Sequence, residues 1–244
     1  MSTDDQANIK KEVIQLGYKS DLKETERIKH ATLIERKWWR HQHPYQNYAA
    51  ISDDVKELTL VMVKPTKNYL PALRFRNPKL HHLYPPFLEW YTKQLLDELT
   101  DVWRERMNQS KQDIDIRLAI ANMTITEDYQ KQLVASGKLA ILGNPHVRGV
   151  AFDIDASAYY LGEIPVNDRK KVKNQYSEKF TSAGAYVKAP EYLNFSSKLT
   201  QLPLTLFEEV LAEFKDQKKL NFVHEYPGTN NSSFHICRNP EYQP

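Results

Sequence analysis

His146-Val147-Arg148-Gly149-Val150-Ala151-Phe152-Asp153-Ile154 reads as a loop that turns into a β-strand. Val150, Phe152 and Ile154 alternate with Ala151 and Asp153, the period of two that sends successive side chains to opposite faces of a sheet. A carboxylate therefore stands on the face opposite an apolar row, with an imidazole in the loop before it. Gly149 lets the chain turn between them, and Ala151 leaves space beside the carboxylate. Imidazole and carboxylate are both ligands for zinc, whose hydrolytic sites keep one position open for water, so His146 and Asp153 form a candidate ligand pair.

The C-terminal end repeats that logic. Leu220–Tyr226 and Ser233–Cys237 are strand-like and are joined by the turn formers Pro227-Gly228-Thr229-Asn230-Asn231, which predicts a hairpin. In the second of these strands Phe234 and Ile236 take one face, and Ser233, His235 and Cys237 the other. His235 thus offers a third ligand from a neighbouring strand. Glu225 ends the first strand, where it can sit across from His235 and act as general base on a water.

Working back toward the N-terminus, Leu88, Tyr91, Leu95, Leu99, Val102 and Trp103 recur at helical spacing and predict an amphipathic helix from about Pro86 to Met107. Ile114, Ile116, Leu118 and Ile120 alternate with Asp115, Arg117 and Ala119 as a strand. Thr124 and Glu127 fit a capping box that opens a short helix, with Gly137 placed to close it. Pro203 opens a further helix through Phe207, Val210, Leu211 and Phe214. Lys56–Val63 is β-prone, prolines 65 to 86 mark loops, and residues 1–35 are charged and helix-prone around Ile9, Val13, Ile14 and Leu16, then Ile28, Leu33 and Ile34. Helices alternating with strands and a closing hairpin predict an α+β fold, a small mainly antiparallel sheet flanked by helices. The organisation expected is an extension over residues 1–85, of unassigned role, and a domain over 86–244.

Composition narrows the function classes. Among 244 residues, Lys and Arg exceed Asp and Glu by only 3, and the two signs interleave without a dense basic block, so no nucleic-acid footprint is expected. No apolar run reaches the roughly 18 residues of a membrane span. The opening Met1-Ser2-Thr3-Asp4-Asp5-Gln6 lacks the basic-then-apolar pattern of a secretory signal, so none is expected in this chain. A single cysteine, Cys237, excludes a disulfide framework and a cysteine-based zinc knuckle, and is read as a packing residue.

The motif His146-x-x-Gly149-x-Ala151-x-Asp153, followed far downstream by an acidic residue and a strand histidine, resembles the metal signature of the LAS zinc peptidases. That group comprises the D-alanyl-D-alanine carboxypeptidases, the vancomycin-resistance D-Ala-D-Ala dipeptidases and the lysostaphin-type endopeptidases. The order His, Asp, Glu, His is that of the carboxypeptidase branch, which the Hedgehog signalling domain shares. Tyr129-Gln130-x-x-Leu133 resembles the helix before that branch's metal motif, and the resemblance covers roughly residues 86–240. It implies one zinc ion on His146, Asp153 and His235, with Glu225 as catalytic base. It also implies hydrolysis of peptide bonds in peptidoglycan stem peptides, in the bacterial periplasm or cell envelope. In such a mechanism the metal acidifies water and polarises the scissile carbonyl, while Glu225 takes a proton and passes it to the leaving amine.

The chain departs from that pattern at three places. Asn144 stands where the family commonly has Ser, and Ile125 stands near the position of an Arg that grips substrate. Arg117 or Arg148 are the candidates to replace it, since guanidinium suits a carboxylate. The ten-residue step from Glu225 to His235 is also longer than the resemblance implies. The replaced Arg motivates an alternative reading, a catalytically inactive, zinc-stabilised binding module on the same scaffold. His224 alternates to the opposite strand face and reads as structural. His41 with His43, and His81 with His82, lack nearby carboxylates and read as surface histidines. Trp38-Trp39 and Trp90-Tyr91 read as packing aromatics rather than a sugar-stacking platform, and Tyr159-Tyr160 are placed just after the metal strand, at the border of the cleft.

Overall fold

The structure, a computed structural model, describes residues 22–109, 116–136, 141–161, 180–181, 184–188, 202–229 and 232–243. Its centre is the strand that carries Asp153. This strand, β5, runs from Ala151 to Leu161, twice the length expected from the Val150–Ile154 pattern. One flank pairs antiparallel with β4 (Ile116–Asn122) along most of its length. The other flank is shared. Ala151–Asp155 pair with β9 (Ser233–Arg238), and Ala158–Leu161 pair with β7 (Gly184–Lys188). Strand β2 (Tyr69–Pro71) adds parallel to β4, β6 (Phe180–Thr181) to β7, and β8 (Leu220–Glu225) to β9. The result is a seven-stranded, mostly antiparallel sheet with one parallel pair, an α+β architecture. Tyr159 and Tyr160 are thus part of the metal strand, buried in the sheet, and not a border after it.

One sheet face is covered by two helices, α5 (Trp90–Gln109) and α7 (Leu202–Asp216), numbered after α1 (Leu22–Ala31), α2 (Leu33–Trp38), α3 (Tyr48–Lys56), α4 (Leu73–Arg76) and α6 (Glu127–Ala135). Leu95, Leu99, Trp103 and Met107 of α5 and Phe207, Val210 and Leu211 of α7 meet Phe152, Ile154, Phe234 and Ile236 of the sheet, all buried. The Trp103 indole N–H donates to the Pro203 carbonyl at 2.9 Å, so the polar tip of this large side chain is satisfied inside the core. The helix expected from Pro86 starts only at Trp90. Phe87–Glu89 form β3, which pairs with β1 (Leu60–Met62) in a separate two-stranded ribbon. Local apolar spacing does not distinguish a short strand from the first turn of a helix.

The boundary expected at residue 85 is crossed by both sheets: β1 pairs with β3, and β2 with β4. Helix α1 lies against β8, where Glu24 accepts from the Tyr226 amide at 3.0 Å. Lys56 ends α3 and is not part of the following strand. The strand expected from Ile114 begins at Ile116, and Ile114 and Asp115 lie outside the described residues, as do Gly137, Asn230, Asn231 and the first 21 residues. Helix α6 is capped by Thr126, whose hydroxyl accepts from the Tyr129 amide at 3.2 Å, two residues later than the Thr124–Glu127 box. Thr124 instead donates to the Phe87 carbonyl, a tertiary contact invisible in local spacing.

Among the turn glycines of the described residues, Gly149 is the one that tertiary packing makes irreplaceable. Its φ is +70°, and a Cβ there would meet Leu60 Cδ2 at 2.9 Å and the Glu89 amide nitrogen at 3.2 Å. Its own carbonyl accepts from that Glu89 amide at 2.9 Å. Gly149→Ala is expected to lose about 1–3 kcal/mol of stability, from backbone strain and the clash together. Urea unfolding of the two proteins measures it, and an unchanged midpoint contradicts this account of the turn.

Candidate metal centre

His146 is held by a short 3-10 turn, Pro145–Arg148, whose start is capped by Asn144: the side-chain oxygen accepts from the His146 amide at 3.0 Å. Asn therefore does at this position what a Ser side chain does at a helix start. The turn is pinned further by the Tyr45 amide, which donates to the Val147 carbonyl at 2.7 Å. Asp153 and His235 are direct cross-strand neighbours in the β5–β9 pairing. Alternation puts both on the face away from Phe152 and Ile236, opposite α5 and α7.

The three side chains converge. His146 Nε2 is 3.0 Å from Asp153 Oδ1, His235 Nδ1 is 2.9 Å from the same oxygen, and the two ring nitrogens are 3.2 Å apart. Their outer partners assign the protons. His146 Nδ1 lies 2.8 Å from the Met123 carbonyl, which only accepts, so Nδ1 carries the hydrogen. His235 Nε2 lies 2.9 Å from Glu35 Oε2, so that nitrogen donates as well. With one hydrogen on each ring, both imidazoles turn lone pairs toward the Asp153 oxygen. Two ligands about 2.0–2.1 Å from a tetrahedral ion stand about 3.3 Å apart, close to the spacing found. His146, Asp153 and His235 can hold a metal ion.

Electrostatics favours a cation at this spot. Burial alone would raise the Asp153 carboxyl, but His146 and His235 beside it hold it well below the usual carboxylate range. Burial alone would lower His235, yet the carboxylates of Glu35 and Asp153 on its two nitrogens push it well above its ordinary value. Two anions on one imidazole thus recruit positive charge, either a second proton on the ring or a metal at the centre.

The three donors line a cavity of about 280 Å³. The imidazoles are 1–2% exposed and the Asp153 side chain 15%, so access to the centre runs past the carboxylate. Glu225 lines the same cavity. It pairs across the hairpin with Ser233, two residues from His235 and on the same face, while Val223 lies directly opposite His235. Burial pushes the Glu225 carboxyl up to about 7, opposed by His235 and reinforced by Asp153. Gln130 and Leu133 of α6 also line the cavity, as does Ile125. Arg148 and Arg117 do not. The Arg148 guanidinium is turned to the carbonyls of Gln42 and Gly143, and Arg117 sits in β4 opposite Tyr160. Lys29, with Thr25 and Ile28, lines the cavity from α1.

His224, His81 and His41 have local partners. His224 Nε2 contacts Ser232 Oγ at 2.9 Å, His81 the Phe75 carbonyl, and His41 accepts from Arg40. Cys237 is buried, and that burial pushes its thiol well up, as expected of a packing residue. Trp39 stacks under the Arg238 guanidinium at 4.8 Å, whereas Trp90 is 49% exposed. Three residues that hold the centre from outside, Met123, Glu35 and Asn221, belong to no spacing motif. Glu35 sits 200 positions from His235, in a stretch that reads only as charged and helix-prone.

Two expected outcomes follow from this geometry. Protein loaded in excess Zn²⁺ and desalted holds about one ion per chain by elemental analysis, and His146→Ala loses it with an unchanged far-ultraviolet circular dichroism spectrum; full retention contradicts the ligand set. In metal-free protein, Glu225 binds its proton more tightly folded than unfolded, so its contribution to stability is complete below its ordinary value of 4.5 and is lost as pH rises through about 7. Glu225→Gln should therefore match the wild type near pH 4 and exceed it by roughly 2–3 kcal/mol at pH 8, read by denaturant unfolding in chelator. No family model, no curated protein and no solved structure matches this chain, so the geometry of the His146–Asp153–His235 cluster carries what can be concluded about function.

Proposed function

We propose that the protein is a zinc-dependent peptidase that hydrolyses peptide bonds of peptidoglycan stem peptides, on a scaffold of the Hedgehog and D-Ala-D-Ala peptidase kind. The observation that carries the reading is the convergence of two imidazole lone pairs and a carboxylate oxygen within 2.9–3.2 Å, with a second carboxylate in the same cavity. Two imidazoles and one carboxylate suit zinc among the common divalent ions, and three protein ligands leave a position open. A bound zinc ion supplies Lewis acidity, polarising a carbonyl oxygen and acidifying water.

The chain's own residues do the rest. Glu225, held near neutrality by burial, is matched to accept a proton from water and return it to a departing amine. Ile28, Ile125, Leu133 and Ile141 form apolar walls, which exclude water and strengthen charge interactions inside the cavity. Asn122 pairs with Asp153 from the β4 side and supplies a polar group to the same wall. No helix among the described residues is long and apolar enough to cross a membrane.

One observation favours the second reading, a zinc-stabilised recognition module without turnover. Ile125 occupies the wall near which the resemblance puts a substrate-gripping Arg, and neither Arg117 nor Arg148 reaches the cavity. Digestion of defined muropeptides, followed by mass spectrometry, separates the two. The peptidase reading expects cleavage that a chelator abolishes and zinc restores. Glu225→Gln should keep its metal and lose about 10²–10⁴-fold in rate. Binding of muropeptides without any cleaved product decides for the module.

A further inference from the structure

We infer that Glu35, from the segment preceding the catalytic-type motifs, is the positioning residue of the metal centre, which it serves through His235; the inference rests on the metal reading above. Glu35 is fully buried on α2. Its Oε2 accepts from His235 Nε2 at 2.9 Å, and its Oε1 accepts from Asn221 Nδ2 at 2.6 Å. The same Asn221 amide nitrogen reaches the Ala31 carbonyl at 3.3 Å and so ties β8 to the end of α1. Asn221 stands opposite Cys237, two residues along β9 from His235. The carboxylate is thus clamped on both oxygens between a helix and two paired strands.

Burying a carboxylate costs several kcal/mol unless a charge compensates it nearby. Asn221 is neutral, so compensation must come through His235. A carboxylate on the outer nitrogen of a ligating imidazole fixes its tautomer and ring plane and strengthens the inner nitrogen as a donor. Here Glu35 holds the hydrogen on Nε2, which leaves the Nδ1 lone pair facing Asp153 and His146. His146 receives the same service from a neutral carbonyl, that of Met123. The difference between them is charge. In the loaded centre, where ligating imidazoles are neutral, Asp153 and Glu35 would carry two negative charges that a divalent ion brings to neutrality. With Gln at position 35 the group would remain one positive charge in excess after loading.

The test is Zn²⁺ affinity, measured on the full chain by competition with a chromophoric chelator, together with the ring-nitrogen correlation spectrum of His235 in ¹⁵N-labelled, zinc-loaded protein. Glu35→Gln is expected to fold and to bind Zn²⁺ about 10–100-fold more weakly, and the wild-type spectrum to show hydrogen on Nε2 of His235. A purely structural Glu35 would lower the melting temperature of the metal-free variant and leave the affinity of the folded protein within twofold. That result overturns the inference, as does hydrogen on Nδ1 of His235 in the loaded wild type. If Glu35→Gln does not fold, Glu35→Asp, which keeps the charge but shortens its reach to His235, goes through the same affinity measurement, and an affinity within twofold of the wild type overturns the inference. Wild-type protein that binds no Zn²⁺ removes the metal reading and this inference together. Tight binding that His146→Ala abolishes and Glu35→Gln leaves intact removes this inference only.

Discussion

The site is organised by a conflict that only a positive charge relieves. Two imidazole nitrogens and a carboxylate oxygen stand about 3 Å apart, and the outer hydrogen bonds of the two rings each hold one proton away from the centre. In water three such lone pairs would move apart. Here they are fixed by backbone: a cross-strand pair sets Asp153 beside His235, and a capped turn sets His146 above them. The fold spends stability to hold this arrangement, as active sites commonly do.

The division of β5 explains how the arrangement is held. Its first half pairs with β9 and its second with β7, while β4 supports the other flank of both. Asp153 therefore sits in the interior of a sheet, between Asn122 and His235, where its backbone has little freedom. The opposite face of the same residues, Phe152 and Ile154 with Phe234 and Ile236, is locked by α5 and α7. A one-residue slip of β9 would move His235 into the core and Phe234 into the cavity, so hydrophobic burial itself enforces the ligand register.

This coupling is also why His146, Asp153 and His235 were legible from the chain alone. Strand alternation distinguishes core from cavity, and the apolar partners of each ligand are adjacent in sequence. The hairpin of Leu220–Tyr226 and Ser233–Cys237 and the helix at Pro203 were legible for the same reason. What alternation cannot encode is distance along the chain. The pairing of β2 with β4, the start of α5 at Trp90 rather than Pro86, and the contact of Glu35 with His235 all depend on partners that local patterns do not name. Arg117 and Arg148 illustrate the converse error. Their chemistry fitted a substrate carboxylate, but Arg148 is consumed by the carbonyls of Gly143 and Gln42.

Residues 22–38 help to build the centre itself. Helix α1 lines the cavity with Thr25, Ile28 and Lys29, and α2 places Glu35 behind His235, so one face of the centre is built from a segment that shares no motif with the rest. Arg27 and Glu24 lock that segment to the end of β8 through the His224 carbonyl and the Tyr226 amide. Those contacts flank Glu225 in sequence on both sides. The docking of α1 therefore bears on the two halves of the proposed chemistry at once: it backs His235 through the adjoining α2, and it encloses the carboxylate that burial has pushed up to about 7. An undocked α1 would expose Glu225 to water and return it toward the ordinary carboxylate range, where it is a weaker base. Enclosure by the N-terminal segment is thus a condition for the proposed proton chemistry as well as for the geometry of the candidate metal ligands.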